Sequence, residues 1–404
     1  MTTRKRQLRN GRSLWLAYPA PRIKTVSAAG GKTADVLIIG AGISGALIGE
    51  LLAAQGYSVV FIDRRGPILG STPASTALVL YEIDMPIIKL RTKIGEEKAI
   101  RAWRRSKLAL ENLRHRTEYL GIKCDMVQRD SLYLAGDMLG ERSLAREGEA
   151  RRSAGFESVL LDRAHLRKAY GISRPAALLS FGNLTLNPRT LTAGYLQAAI
   201  ARGAKVISRD EVTALSESRS GVKAVTKSGD TIKARMAIYA SGYELPKVVR
   251  DKSLHIASTF VMATRPQKRK LWPGETLIWE ASDPYLYLRT TPDGRIICGG
   301  EDEDFGDEER RNAMLVAKVS QLSAKLGRLF PGVDTTPDFA WSANFGASAT
   351  GLPKIGRLPG HKYVYAALGY GGNGITYSRL AAELISTELS GKLDPDAGLF
   401  SFRA

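Results

Sequence analysis

Apolar residues along the chain fall into short unbroken runs and helical stripes. Residues 36–39 are four consecutive apolar positions, as a central parallel strand requires. The turn Gly40-Ala41-Gly42-Ile43-Ser44-Gly45 follows. Ala46, Leu47, Ile48, Leu51 and Leu52 then mark the sheet-facing side of a predicted helix that Gly56 ends. Residues 59–62 form a second strand, closed by Asp63. The stretch is long and apolar enough to raise a membrane span as an alternative. Its glycines, Ser44, Glu50 and the two-strand pattern argue against one.

From Pro86 the pattern predicts one long helical stretch. Ile94, Ile100, Trp103, Leu110, Leu113 and Leu120 recur at helical spacing, with Lys and Arg between them as a wet face. Residues 131–135 read as a strand and 142–156 as a helix that Gly155 stops. A helix over 189–202 and a strand over 204–207 follow. After Val212, residues 221–232 alternate as a meander, and 235–242 is a buried strand returning to the first sheet. Strands are expected at 259–264, 276–279, 285–289 and 295–298, with a hairpin at Pro292-Asp293-Gly294. A helix spans 310–329, residues 341–356 cross back, and a strand at 363–368 runs into a second glycine turn and a helix to Ser390. The pattern is α/β: a Rossmann-like domain interleaved with an α+β domain built on a large, mostly antiparallel sheet.

Composition narrows the reading. A chain of 404 residues can bury a large core and make two domains, and 44% apolar content argues against wholesale disorder. Cys124 and Cys298 form no CxxC, which disfavours a disulfide scaffold or a thiolate metal site and fits a reducing cytoplasm. His115, His165, His255 and His361 lie far apart, so no metal is expected. The net charge of +19 comes in part from residues 1–34, which carry eight Lys and Arg and no acid, and from 91–123. Such charge can attract nucleic acid, anionic membrane or acidic substrates, but a solvated basic surface explains it more simply, and no nucleic-acid partner is expected. Ser13-Leu14-Trp15-Leu16 is the one hydrophobic piece of the N-terminal extension and is expected to dock onto the body.

The chemistry starts at the first glycine turn. Gly40 permits the tight turn, Gly42 lets backbone approach a pyrophosphate, and Gly45 lets helix and strand pack closely. Ile43 and Ser44 open the helix, whose N-terminal amides and dipole favour phosphate. Asp63, about 20 residues on, stands where an acid accepts from ribose hydroxyls, with Arg64 and Arg65 behind it. Strand, helix, strand and acid in register favour a dinucleotide site over a chance turn. The loop from Gly70 through Ser71, Thr72, Ser75 and Thr76 is small and rich in hydroxyls, suited to lie against a flat cofactor. Ala240, Ser241 and Gly242 end a returning strand, and Gly371, Gly372, Asn373, Gly374 and Ile375 offer a second helix N-terminus. Tyr285, Tyr287 and Arg289 alternate on one strand and either face substrate, the reading preferred here, or are outer-face residues of the sheet.

These pieces, in this order, resemble the FAD-dependent amine and D-amino acid oxidoreductases, the superfamily of glycine oxidase and monomeric sarcosine oxidase. The resemblance covers residues 35–389 and rests on GAGISG with Asp63, GSTPAST, AIYASGYE, YLRTTPDGRIICGGEDE and ALGYGGNGIT. The SLW and GGED segments look most like the γ-glutamylputrescine oxidoreductase group. The resemblance implies extended FAD: Gly40, Gly42 and Gly45 on the pyrophosphate, Asp63 on the ribose, Val212 on adenine through its backbone, and 371–375 at the pyrimidine edge of the flavin. It implies an FAD-binding domain of residues 34–86, 186–250 and 342–391. A substrate domain of 87–185 and 251–341, a basic extension of 1–33 and a tail of 392–404 complete the chain. The histidine and cysteine by which some relatives attach flavin are replaced by Pro73-Ala74 and by a cysteine-free 341–353, so non-covalent FAD is expected.

Departures from the resemblance bear on substrate. The arginine that clamps a substrate carboxylate in relatives falls at Phe345, and a second one at Gly372. Tyr370 and Phe345 join the substrate-lining candidates. The lysine that promotes oxygen reduction in sarcosine oxidases falls at or near Ile297. The expected activity is oxidation of a C–N bond of an amine or amino acid by hydride transfer to flavin N5, with an imine that hydrolyses. The electron acceptor is O2 or a redox partner. A flavin-binding subunit of a heteromeric amine- or opine-type dehydrogenase, docking through SLW, and a flavoenzyme acting on tRNA are the alternatives.

Overall fold

Five parallel strands form the spine of one sheet in the computed structural model, which describes residues 2–19, 21–28, 32–249, 251 and 253–402. Their order is Val364–Leu368, Thr231–Tyr239, Lys32–Ile39, Val59–Asp63 and Lys205–Ser208. Lys354–Arg357 adds an antiparallel edge, and Val212–Ser218 with Gly221–Thr226 adds the meander. The unbroken apolar run at 36–39 has a packing cause, because both faces of the sheet are covered. Val36, Ile38 and Phe61 belong to the core shared with the helices Ile43–Ala54, Pro188–Ala201 and Gly374–Leu389. Leu37, Ile39, Val60 and Ile62 pack with Val222, Ala224 and Ile232 of the meander side.

The second sheet has ten strands and is mostly antiparallel. At its centre Leu254–Thr264 lies between Pro337–Ser348 and Ile296–Glu303, followed by Leu286–Thr290, Leu277–Glu280, Val127–Leu134 and Ala176–Thr185. The pair Leu277–Glu280 with Val127–Leu134 is parallel. Helix Glu308–Leu329 covers one face through Val319, Leu322 and Leu326. The α/β architecture read from the pattern is present: a Rossmann-like sheet and a large mixed sheet.

Several elements differ from the sequence expectation. The helical stretch after Pro86 is two helices, Ile87–Ile94 and Glu96–Tyr119, because Gly95 adopts φ +88 between them. Its basic face is not simply wet: Arg105 pairs with Glu383 and Asp394, Arg101 with Asp396, and Arg116 with the fully buried Glu50. Residues 158–185 hold the strand Ser158–Asp162, the helix Arg163–Tyr170 and the strand Ala176–Thr185, none of which was expected. The N-terminal extension is part of the body. Its strand Arg9–Arg12 pairs with 340–343, and Leu14 and Trp15 are buried. The strand Pro337–Ser348 lies wholly in the large sheet, so a boundary at 341/342 would cut it.

Candidate functional site

Two adjoining cavities run from the Rossmann-like sheet to the large sheet. Ile43, Ser44, Ser71, Thr72 and Gly242 line both, which makes them one trough. The first glycine turn forms its floor. Gly40 has φ +118, and a Cβ there would lie 2.3 Å from the Ala240 carbonyl oxygen. A Cβ on Gly45 would lie 2.0 Å from the Gly40 carbonyl oxygen, so only glycines bring this helix so close to its strand. Gly45 therefore sits beneath the trough, not in its lining.

The strand-end cavity is lined by Gly40, Gly42, Asp63, Arg64, Arg65, Gly70, Val212, Ala240 and Ser241, along with the shared residues. Asp63 Oδ2 accepts from the Ala41 amide and Oδ1 from the Arg65 amide, both at 2.9 Å. Burial nonetheless raises its carboxyl above the ordinary range, against these donors. Arg64 and Arg65 line the cavity but are already engaged: Arg65 makes two bonds to Glu244, at 2.8 and 2.6 Å, and Arg64 lies 3.5 Å from Glu211 and 3.6 Å from Glu244. The Val212 carbonyl accepts from Thr2 Oγ1 at 3.0 Å, so an adenine using that carbonyl must displace Thr2.

The hydroxyl-rich loop at 70–77 is held from behind by a row of donors. Ser13 Oγ donates to the Pro73 carbonyl. Trp341 Nε1 donates to Ala74 at 3.0 Å and Trp15 Nε1 to Ser75 at 2.6 Å. Arg289 Nη1 reaches the carbonyls of Ala77 at 2.8 Å and Leu186 at 2.9 Å. Because these carbonyls face the body, the side chains of Ser71, Thr72, Ser75 and Thr76 are left to line the trough. Thr72 Oγ1 accepts from the Ile43 amide at 3.1 Å, tying the loop to the helix N-terminus.

At the far end, Tyr285, Tyr287, Phe345, Tyr370 and residues 371–375 line the cavity. Arg289, expected beside them, does not. It is 1% exposed, its guanidinium is spent on carbonyls, and it lies 5.5 Å from the centre of the Trp15 ring. Burial, then the charge of Arg129, lowers its pKa to about 9. The Trp15 and Leu14 side chains are buried in the same region, so SLW is an internal prop and not an exposed docking element.

The sequence reading missed Asp84, Tyr243, Thr259 and Trp279, all in the lining, and Asp302 beside it. Asp84 had a signal: it is one of two acids in the apolar stretch 77–88. Asp302 lay inside the quoted GGEDE segment, but nothing in the pattern said which of its acids turns inward.

The family model described as FAD dependent oxidoreductase matches residues 35–387. The probable oxidoreductase OrdL of Haemophilus influenzae is 22% identical over 372 residues, covering 89% of this chain and 83% of that protein. Gamma-glutamylputrescine oxidoreductase of Escherichia coli is 24% identical over 374 residues, covering 89% and 84%. The crystal structure of glycine oxidase from Geobacillus kaustophilus is similar with a TM-score of 0.74 at 20% identity, covering 92% of this chain and 98% of that one. The family match runs through both sheets and along the trough they share, and on that ground the chain belongs to the FAD-dependent oxidoreductases.

Proposed function

We propose that the trough holds non-covalent FAD in extended form and that the protein oxidises the C–N bond of an amine lacking an α-carboxylate. The observation that carries this reading is the far end of the cavity, where no Lys, Arg or His is found among the described lining residues. The positions at which related enzymes place carboxylate-binding arginines are Phe345 and Gly372. A planar two-donor fork is the natural clamp for a carboxylate, and none from the described residues lines this end of the trough. The residues present fit the dinucleotide: Gly40 and Gly42 leave bare backbone at the helix start, where a Cβ on Gly42 would fall 3.2 Å from Thr72 Oγ1. Among the described residues neither cysteine nor histidine is in the lining, which supports a non-covalent cofactor.

In this reading Asp63 would hold the adenosine ribose, the Gly42–Ser44 backbone the pyrophosphate, and 371–375 the pyrimidine edge. The flavin when bound supplies a hydride acceptor at N5. The chain's own part is positioning and exclusion of water. Tyr243, Trp279, Tyr285, Tyr287 and Phe345 make an aromatic chamber that fixes the carbon bearing the amine. The amine must be neutral so that its lone pair can form the C=N bond as hydride leaves carbon. Water then adds to the imine, giving a carbonyl compound and the released amine.

The test is an anaerobic mixing experiment on the yellow protein with a panel of amines and amino acids, following flavin absorbance. Bleaching by amines, faster than by the corresponding amino acids, is expected. Faster bleaching by amino acids would overturn the carboxylate-free reading, and a protein that takes up no FAD would overturn the cofactor assignment. Admitting oxygen after reduction decides between O2 and a redox partner as acceptor. The absence of lysine from the described lining favours slow reoxidation by O2.

A further inference from the structure

The chain carries a net charge of +19, yet the only charged residue lining the far-end cavity, among those described, is an aspartate. Asp84 lies there with Oδ2 accepting from the Gly372 amide at 2.8 Å. A Cβ on Gly372 would fall 2.9 Å from Asp84 Oδ1, so the bare glycine is what admits the carboxylate. The position that could carry a cationic side chain into this space instead makes room for an anion.

A second acid stands behind the tyrosines. In the strand Ile296–Glu303, Gly300 at φ +136 and Glu301 at φ +54 break the alternation of side chains. Glu301 turns to Lys318 and Lys325 on the covering helix. Asp302 turns the other way, toward Thr259 and Tyr285 of the cavity wall. Both its carboxylate oxygens are buried and make no hydrogen bond of good geometry. Neither Asp84 nor Asp302 forms an ion pair among the described residues. Buried unpaired carboxylates are costly, and a ligand cation relieves that cost.

Resting on the proposed amine oxidation, we infer that the site takes a substrate with two cationic centres, a diamine or longer polyamine, whose remote ammonium is held by Asp84, with the Asp302 carboxylate behind the tyrosine wall adding its charge. The aromatic walls, Trp279, Tyr285, Tyr287 and Phe345, suit the methylenes between the two nitrogens and add cation–π attraction at their faces. The remote ammonium stays charged while the reacting nitrogen gives up its proton, so the two ends are distinguished by the acids.

The experiment compares three probes of one chain length on the FAD-loaded protein: a terminal butanediamine, butylamine and the corresponding terminal amino acid. Calorimetric binding and anaerobic flavin reduction are measured for each. The diamine is expected to bind at least about tenfold more tightly than butylamine, as loss of a charge-assisted contact implies, and the amino acid to bind least. Asp302→Asn should raise the diamine dissociation constant and leave that of butylamine nearly unchanged, and Asp84→Asn, which also alters the contact to the Gly372 amide, should raise that of the diamine more than that of butylamine. Asp302→Glu should restore part of the preference. Equal binding of diamine and monoamine, or variants that weaken both alike, would overturn the inference. Should no probe reduce the flavin, the oxidation reading fails, while calorimetry still decides the acid site. Diamine binding lost in Asp302→Asn supports the site, and no diamine binding overturns it.

Discussion

A methyl group on Gly45 would press to 2.0 Å from the Gly40 carbonyl, so Gly45→Ala must push the first helix off its strand. The expected outcome is a folded protein that purifies colourless and takes up no FAD, read by absorbance and circular dichroism. Asp302 gives a residue-scale prediction of another kind. Burial pushes its carboxyl up to about 7, with Asp84 and Asp283 adding repulsion and the hydroxyls of Thr259 and Tyr285 opposing. An unfolded aspartate titrates at ~3.9. Between these values the folded protein holds the extra proton, so this group's contribution to stability is complete below about pH 4 and is lost as pH rises through about 7. Thermal melts of the apoprotein across that window should show Asp302→Asn flattening the slope. A bound cation reverses the preference, so diamine affinity should rise through about pH 7. Single residues were legible where backbone geometry demanded them, as at Gly40 and Gly45. Arg289 was misread because alternation fixes which face a side chain leaves from, not how far a long guanidinium reaches to satisfy carbonyls.

The hydroxyl-rich loop at 70–77 depends on elements distant in sequence. Trp15→Phe removes the donor to the half-buried Ser75 carbonyl, a loss of about 1 kcal/mol. FAD affinity should fall about tenfold while secondary structure is kept, measured by equilibrium titration of the apoprotein. Another dependence lies at the helix Ile87–Ile94. Pro86 offers its N-terminus no side-chain cap, and Glu147, from the helix Glu141–Ser153, accepts from the Ile87 and Ile88 amides at 3.1 and 3.0 Å. The same carboxylate holds Arg151 at 2.9 Å, fully buried. Glu147→Ala should cost about 3 kcal/mol, because it leaves that buried guanidinium with Glu82 at 3.9 Å as its remaining carboxylate and uncaps the two amides, and denaturant titration checks it. Elements that follow a strand and a glycine turn were readable, such as Ile43–Ala54 and Gly374–Leu389. Residues 158–170 were not, because Val159 and Leu160 are exposed and the helix Arg163–Tyr170 buries only Leu166. Gly95 was visible but ambiguous, since a glycine within a helical stripe marks a break only when its φ turns positive.

At the scale of the whole molecule, the basic charge is sorted by depth. Arg151, Arg289 and Arg311 are sealed inside, and the cavity lining at the far end is left acidic among the described residues. Charge counting over the sequence could not show that sorting, because it adds residues without regard to where the fold puts them. No described helix is long and apolar enough to cross a membrane. The pairing of Arg9 with Ala343 has a consequence for the order of events during synthesis. The opening strand leaves the ribosome long before the strand that will receive it, and contacts between such distant points form late. The loop propped by Trp15 can therefore gain its backing only when the polypeptide is nearly finished. In refolding from denaturant, the far-ultraviolet dichroism should recover first and the capacity to quench FAD fluorescence should lag behind it. A nascent chain halted before residue 337 should have much of the first sheet's sequence in hand and still be unable to turn yellow.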